Sequence, residues 1–169
     1  MLKICYFNDS IPHLAKQHPL DVGYDLYAYQ VADTTGNIME FSLNNSWELY
    51  IQPGYRYKIL HGISLWLPPN TCAMILSRSG LSLKQGIRVH NSPGLIDPSY
   101  SGEIATIIIN DDHSTHVVKK WDRVSQMLLN PIGLLDHGAQ RFTMPLEEFN
   151  LMRPKTGRNE SGFGSTGKK

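Results

Sequence analysis

The sequence predicts an all-β fold, a distorted β-barrel of jelly-roll type with at most one or two short helices. Three observations carry that reading. Apolar residues recur mostly at every second position, the runs that do so are short, and Gly, Pro, Asn and Asp punctuate them closely. Long stretches of helical period are missing. The first clear run covers residues 55–61, and Gly62 turns it into Ile63–Leu67, which stops at Pro68-Pro69-Asn70. Residues 71–76, 103–109, 117–118 and 123–129 follow with the same alternation. Between them, residues 91–104 read as a β-hairpin or hairpin-like pocket, because Pro93-Gly94 and Pro98-Ser99 each force a turn. Ser79 to Gln85 and Pro145 to Met152 are the candidate helices.

A chain of 169 residues fits one domain. It can bury roughly 68–70% of the surface that its unfolded form exposes, so a core forms without staples. The expected division is a barrel over residues 1–152 and a C-terminal arm over 153–169. The arm holds four glycines and five basic residues against Glu160, and buries little by itself. Residues 29–50 are rich in Asn, Thr and Ser and read as a long hairpin or excursion from the barrel.

Sixteen Lys and Arg against fifteen Asp and Glu leave a net charge of +1. No global field favours a long polyanion, so nucleic-acid binding is not expected. Cys5 and Cys72 are too few for a disulfide framework and read as partly buried thiols in a reducing compartment. The start, MLKICYFNDS, carries no apolar signal core, and the longest apolar run, Ile104 to Ile109, is far short of a membrane span. A soluble, cytoplasmic protein is expected.

Several small clusters carry chemistry. Residues 91–104 place Asn91, which offers a donor and an acceptor, near backbone groups that can read a base edge. Asp97 can act there as a general base, and Tyr100 can lie flat against a sugar. Arg78 and Ser79 supply donors suited to phosphate at a turn. Arg123 and Gln126 alternate along a strand, pointing to one face or to opposite faces. Asp25, after Gly23, can face a hydrated cation or a neighbouring arginine, and taken alone an ordinary ion pair is the better reading. Gly162-Phe-Gly-Ser-Thr-Gly167 lacks the context of a phosphate-binding P-loop, yet its amides and hydroxyls can wrap an anion. Phe163 gains by stacking on a base, a contact worth about 1–3 kcal/mol. The seven histidines form no metal motif.

In order, Gly23-Tyr-Asp-Leu26, Arg78-Ser-Gly-Leu81, Gly94-Leu-Ile-Asp-x-x-Tyr-x-Gly-Glu103, Arg123-Val-Ser-Gln126 and Gly162-Phe-Gly-Ser-Thr-Gly167 resemble the five motifs of the trimeric dUTPases. The resemblance spans nearly the whole chain. It implies a homotrimer with shared active sites and hydrolysis of dUTP to dUMP and diphosphate by water attack on the α-phosphorus. By the same resemblance Asp97 orients and deprotonates that water, and Tyr100 packs under the deoxyribose and leaves no room for a ribose 2′-hydroxyl. Asn91, with the backbone around Gly94, Leu95, Ile96 and Ala105, reads uracil. Arg78, Ser79, Gly80 and Gln126 hold phosphates. Arg158, Phe163, Gly164, Ser165 and Thr166 form the closing arm, and Asp25 is a partner, through water, of a Mg²⁺ held by the triphosphate.

Ser77, Ser82, Ser125 and Asn159 depart from the family's usual residues, and 29–50 looks longer than in compact members, which suggests a protein partner there. The alternatives are a dCTP deaminase-like enzyme, which would want a Glu where Ile107 stands, and a non-catalytic, nucleotide-binding regulator.

Overall fold

The structure, a computed structural model, describes residues 2–39 and 47–132. Twelve strands and one helix follow one another among them. They are β1 (Lys3–Tyr6), β2 (Tyr24–Tyr27), β3 (Gln30–Ala32), β4 (Glu48–Ile51), β5 (Arg56–Leu60), β6 (Ile63–Trp66) and β7 (Thr71–Leu76). After them come α1 (Ser79–Gln85), β8 (Ile87–Val89), β9 (Gly94–Ile96), β10 (Ala105–Asn110), β11 (His116–Lys119) and β12 (Arg123–Pro131). The all-β expectation holds, and α1 occupies the first of the two expected helical segments. The second lies outside the described residues.

Two four-stranded sheets, β3-β5-β10-β8 and β2-β12-β7-β9, form the body, with two-stranded pairs β1-β6 and β11-β4 beside them. The period-two rhythm is realised most plainly in β10, where Thr106, Ile108 and Asn110 are buried and the residues between them half-buried. Every side chain of one parity faces the core, as a pleated strand requires. Ile108 packs in one apolar cluster with Val31, Ile51, Ile59, Ile87 and Val118. A second cluster gathers Leu26, Ile63, Ile75, Val89, Ile104 and Met127. Each such fully buried aliphatic side chain contributes about 1.5–3 kcal/mol. Asn110 is the polar exception within β10. Its Nδ2 donates to the carbonyls of Ile51 and Ser114, both at 2.8 Å, and its Oδ1 accepts from Asp112 N–H at 2.9 Å, so its burial leaves nothing unpaired.

Three expectations are corrected. The described strands form separate sheets and do not close into a barrel. Proline supplies no ladder N–H, and Pro68, Pro69, Pro93 and Pro98 stand where strands end, so the sheets stop there. Residues 91–104 are no hairpin either. β8, before the turn, pairs with β10, whereas β9, after it, pairs with β7 in the other sheet. The chain crosses between sheets at Ser92-Pro93, a cis peptide bond. Finally, 29–50 is only partly an excursion. β3 pairs with β5 and β4 with β11, and Val31, Trp47, Leu49 and Ile51 are buried, so its ends belong to the core. Of the two thiols, Cys72 is half-buried as expected and Cys5 is exposed.

Candidate active site

The first residues to meet are those of β2, β12 and the start of α1. Asp25 and Gln126 stand opposite each other across the β2–β12 ladder, which places both side chains on one face. In a regular strand, Arg123 and Gln126 point to opposite faces, since three residues separate them. A bulge between Arg123 and Ser125 adds one residue and returns both to the same side.

Asp25 is buried and bridges two cations. Its Oδ1 accepts from Arg78 Nε at 2.9 Å and its Oδ2 from Arg123 Nη1 at 2.9 Å. Arg78 Nη1 also donates to the carbonyl of Arg123 at 2.9 Å. A guanidinium has five N–H donors, so Arg78 keeps three for a ligand. Taken alone, the ion-pair reading of Asp25 is the one the structure shows.

Gln126 Nε2 donates to the carbonyl of Ser77 at 2.9 Å, fixing the carboxamide, and Gly23 leaves it room, for a β-carbon there would stand 2.7 Å from Oε1. Ser77 in turn accepts, through Oγ, from Val89 N–H at 2.9 Å, tying β7 to β8. The helix begins at once, with Arg78 as its first flanking residue and no side-chain cap, so the first-turn amides around Ser79 and Gly80 remain open donors. It ends at Gly86, whose φ of 63° is the left-handed conformation that glycine adopts without strain. A cleft of about 510 Å³ results, lined by Gly23, Asp25, Arg78, Ser79, Gly80 and Gln126 among others.

Behind β12, Ser125 anchors the opposite face. Its hydroxyl bonds Thr106 Oγ1 at 2.8 Å, Thr106 bonds His61 Nε2 at 2.7 Å, and His61 Nδ1 lies 2.8 Å from the carbonyl of Tyr27. The carbonyl of Tyr27, in β2, can only accept, so Nδ1 carries the proton and Nε2 accepts from the Thr106 hydroxyl. Burial lowers the pKa of His61 to about 4, which keeps the ring neutral.

The remaining candidates lie elsewhere. Asp97 and Tyr100 follow β9 in an exposed turn, where Tyr100 N–H donates to the carbonyl of Asp97 at 3.1 Å. The carboxylate of Asp97 makes no hydrogen bond or ion pair among the described residues. Tyr100 lines a second cleft of about 430 Å³ with Ser64, Trp66 and Pro98. Asn91 folds over Gly94, where a β-carbon would lie 3.3 Å from its Nδ2. Leu95 is exposed and Ile96 half-buried, while Ala105 opens β10 in the other sheet. The chain thus brings together Asp25, Arg78, Ser79, Gly80 and Gln126, and sets the Asp97–Tyr100 turn against a different cleft. Arg158, Phe163, Gly164, Ser165 and Thr166 lie outside the described residues.

The sequence marks Ser77 only as a departure and Glu103 and Arg123 only as members of spaced motifs, and assigns none of them its bond to Val89, Gly62 or Asp25. No group of three or more carboxylate, histidine or cysteine side chains among the described residues can hold a metal ion.

A family model described as dUTPase matches residues 39–167. The deoxyuridine 5'-triphosphate nucleotidohydrolase of Clostridium tetani is 35% identical over 167 residues, covering 99% of this chain and 95% of its own. That of Corynebacterium jeikeium is 33% identical over 169 residues, covering 98% and 92%. Among solved structures, Staphylococcus bacteriophage 80alpha dUTPase with dUPNHPP superposes with a TM-score of 0.65 at 19% identity, over 99% of this chain and 98% of that one. A mutant dUTPase from phage phi11 of S. aureus, which coordinates a structural Mg(II) ion, gives 0.64 at 16% identity over 87% and 99%. Both share the all-β, jelly-roll-like fold described above.

Proposed function

The chain belongs to the dUTPase family, and from that premise we propose that it hydrolyses dUTP to dUMP and diphosphate. The observation that carries the reading is the Asp25-centred cleft, which presents Arg78, Gln126 and the open amides at Ser79 and Gly80 to one anionic ligand. Phosphates of the substrate bind there. The Asp97 carboxylate, exposed and unpaired among the described residues, takes a proton from water as its oxygen attacks the α-phosphorus. The bond from the α-phosphorus to the bridging oxygen breaks, and diphosphate leaves with the electron pair. Little covalent work falls to the protein, so placement and charge neutralisation supply the rate.

Tyr100 packs under the deoxyribose, and Asn91 with the backbone at Gly94, Leu95, Ile96 and Ala105 reads uracil. The arm residues Arg158, Phe163, Gly164, Ser165 and Thr166 close over the nucleotide. Because the phosphate cleft and the Asp97–Tyr100 turn line different clefts of one chain, we read the complete site as shared between copies in a homotrimer.

The donor set tests the Mg²⁺ expectation. Asp25 already spends one lone pair of each oxygen on a guanidinium, and no cluster of three or more carboxylate, histidine or cysteine ligands forms among the described residues, so direct protein coordination does not fit. The lone pairs left on Asp25 fit water bound to an ion that the triphosphate itself holds, the usual arrangement for this hydrated cation. There it would neutralise phosphate charge.

No helix among the described residues is long and apolar enough to cross a membrane. The exposed thiol of Cys5 supports a reducing, cytoplasmic setting. A protein partner at 29–50 narrows to the tip between β3 and β4, and replacing residues 33–46 by a short turn tests it. Lysate proteins retained by the chain and lost on that replacement support the partner; an unchanged set removes it.

The primary test is product analysis of dUTP, dCTP, dTTP and UTP incubated with the protein and Mg²⁺. Formation of dUMP and diphosphate from dUTP alone is expected. Deamination of dCTP would replace this reading with the deaminase alternative, against which Ile107 stands where that reaction needs an acid. No turnover of any nucleotide would leave a nucleotide-binding regulator.

A further inference from the structure

The turn that carries Asp97 and Tyr100 is tied down by a set of contacts that the reaction reading leaves unused. Gly62 N–H, in the connection between β5 and β6, donates to Oε1 of Glu103 at 2.7 Å. Ser64 Oγ donates to the carbonyl of Ser101 at 3.1 Å, and Ile104 N–H donates to the carbonyl of Ile63 at 2.8 Å. Within the turn, the phenol of Tyr100 donates to the carbonyl of Glu103 at 3.0 Å. The ring crosses Gly102 so closely that a β-carbon there would lie 2.5 Å from the Tyr100 hydroxyl oxygen.

These contacts have a direction. Gly62 sits at φ 68°, in a conformation that only glycine adopts without cost, and its carbonyl already accepts from Phe7 N–H at 2.9 Å. Its N–H, on the other side of the residue, points at the Glu103 carboxylate. Glu103 is half-buried, and loss of solvent pushes its pKa up from the usual carboxylate range, against the pull of that amide and of Lys58. A carboxylate that has lost part of its water is held by what it bonds. Moving it releases the stretch onto which Tyr100 is hydrogen-bonded.

We propose that Glu103 is a positioning residue: its carboxylate latches the Asp97–Tyr100 turn onto Gly62, and Gly102 makes the space in which the tyrosine ring is held. The proposal rests on the dUTPase reading, in which Tyr100 carries the deoxyribose and excludes a 2′-hydroxyl. Glu103 touches no substrate. It acts through the placement of Tyr100, so it affects sugar discrimination as well as rate.

The test is the steady-state kinetics of Glu103→Ala, Glu103→Gln and Gly102→Ala with dUTP and UTP, beside thermal unfolding of each. Glu103→Ala should lower kcat/KM for dUTP about tenfold, the size of one lost hydrogen bond, and should narrow the preference for dUTP over UTP. Glu103→Gln keeps an amide oxygen for Gly62 N–H and should hold both within about twofold. Gly102→Ala leaves Glu103 intact, displaces the ring and should narrow the same preference, which keeps the proposal testable if Glu103→Ala does not fold. A folded Glu103→Ala with an unchanged dUTP over UTP preference overturns the proposal, as do equal losses in Ala and Gln. Absence of dUTP turnover in the unmodified protein overturns the functional reading and, with it, the positioning role. Hydrogen exchange at the Gly62 amide then still reports the latch, faster exchange in Glu103→Ala showing that the bond exists without a catalytic purpose.

Discussion

Gly23 lies so close beneath Gln126 that a β-carbon on it would stand 2.7 Å from the Gln126 amide oxygen. The oxygen is the far end of a flexible side chain, so the chain can absorb the added methyl by turning the carboxamide. What that turn breaks is the 2.9 Å bond from Gln126 Nε2 to the Ser77 carbonyl, which aims the group into the cleft. Gly23→Ala is therefore expected to shift thermal unfolding by only a few degrees while weakening use of dUTP several-fold, about 1 kcal/mol of binding. Kinetics on the refolded variant check this, and an unchanged KM and kcat would show that Gln126 does not serve the phosphates.

Asp25 neutralises two arginines at once, and both depend on it. Replacing it with Ala leaves Arg78 and Arg123 facing each other without a counter-charge, while Asn keeps the shape and removes the charge. The arginine side chains are 28% and 37% exposed, so water screens part of the repulsion. Asp25→Ala should lose about 1–3 kcal/mol in urea unfolding and Asp25→Asn less, with hydrolysis falling steeply in both as Arg78 loses its fixed orientation. Full activity in Asp25→Asn would mean that the ion pairs serve only stability.

His61 makes stability depend on pH in a defined window. Unfolded, it titrates near 6.5; in the native core its pKa is about 4, so between those values the unfolded chain binds more protons. Its contribution is fully present above about pH 6.5 and is lost as pH falls toward 4, an effect on the order of 3 kcal/mol. His61→Gln, which retains a donor and an acceptor, should flatten the unfolding midpoint across that window relative to the unmodified protein. Parallel curves for the two proteins would remove His61 as the cause.

Asp97→Asn keeps the size of the side chain and loses its basicity. Hydrolysis should fall by a factor of about 100 or more, while a non-hydrolysable dUTP analogue still binds with similar affinity by calorimetry. A fully active Asn variant would remove Asp97 as the base.

The segments that were legible in the sequence share a physical reason. In β6, Ile63-Ser-Leu-Trp66, the apolar Ile63 and Leu65 are buried while Ser64 and Trp66 face outward, so the pleat let that strand be read residue by residue. The helix at Ser79–Gln85 forms where the sequence placed a candidate, and Gly86 closes it in the left-handed conformation. Residues 91–104 were misread because turn-forming residues announce a turn without saying which sheet the chain joins next. Here β8 and β9 enter different sheets, and that choice is made by β10 and β7, remote in sequence. The ends of 29–50 were misread for the opposite reason. Their polar composition hides buried Val31, Leu49 and Ile51, whose partners lie in strands 20 to 70 residues further on.

The all-β class, the order of the motifs and the chemistry each brings are legible along the chain, because periodicity, turn residues and side-chain type are local properties. Which of them meet is a matter of how the strands pair. A single bulge in β12 turns Arg123 to the side of Asp25 and Gln126, and that meeting sets two guanidiniums on one buried carboxylate. Pairing of this kind depends on the register between strands distant in sequence, which no spacing along the chain encodes.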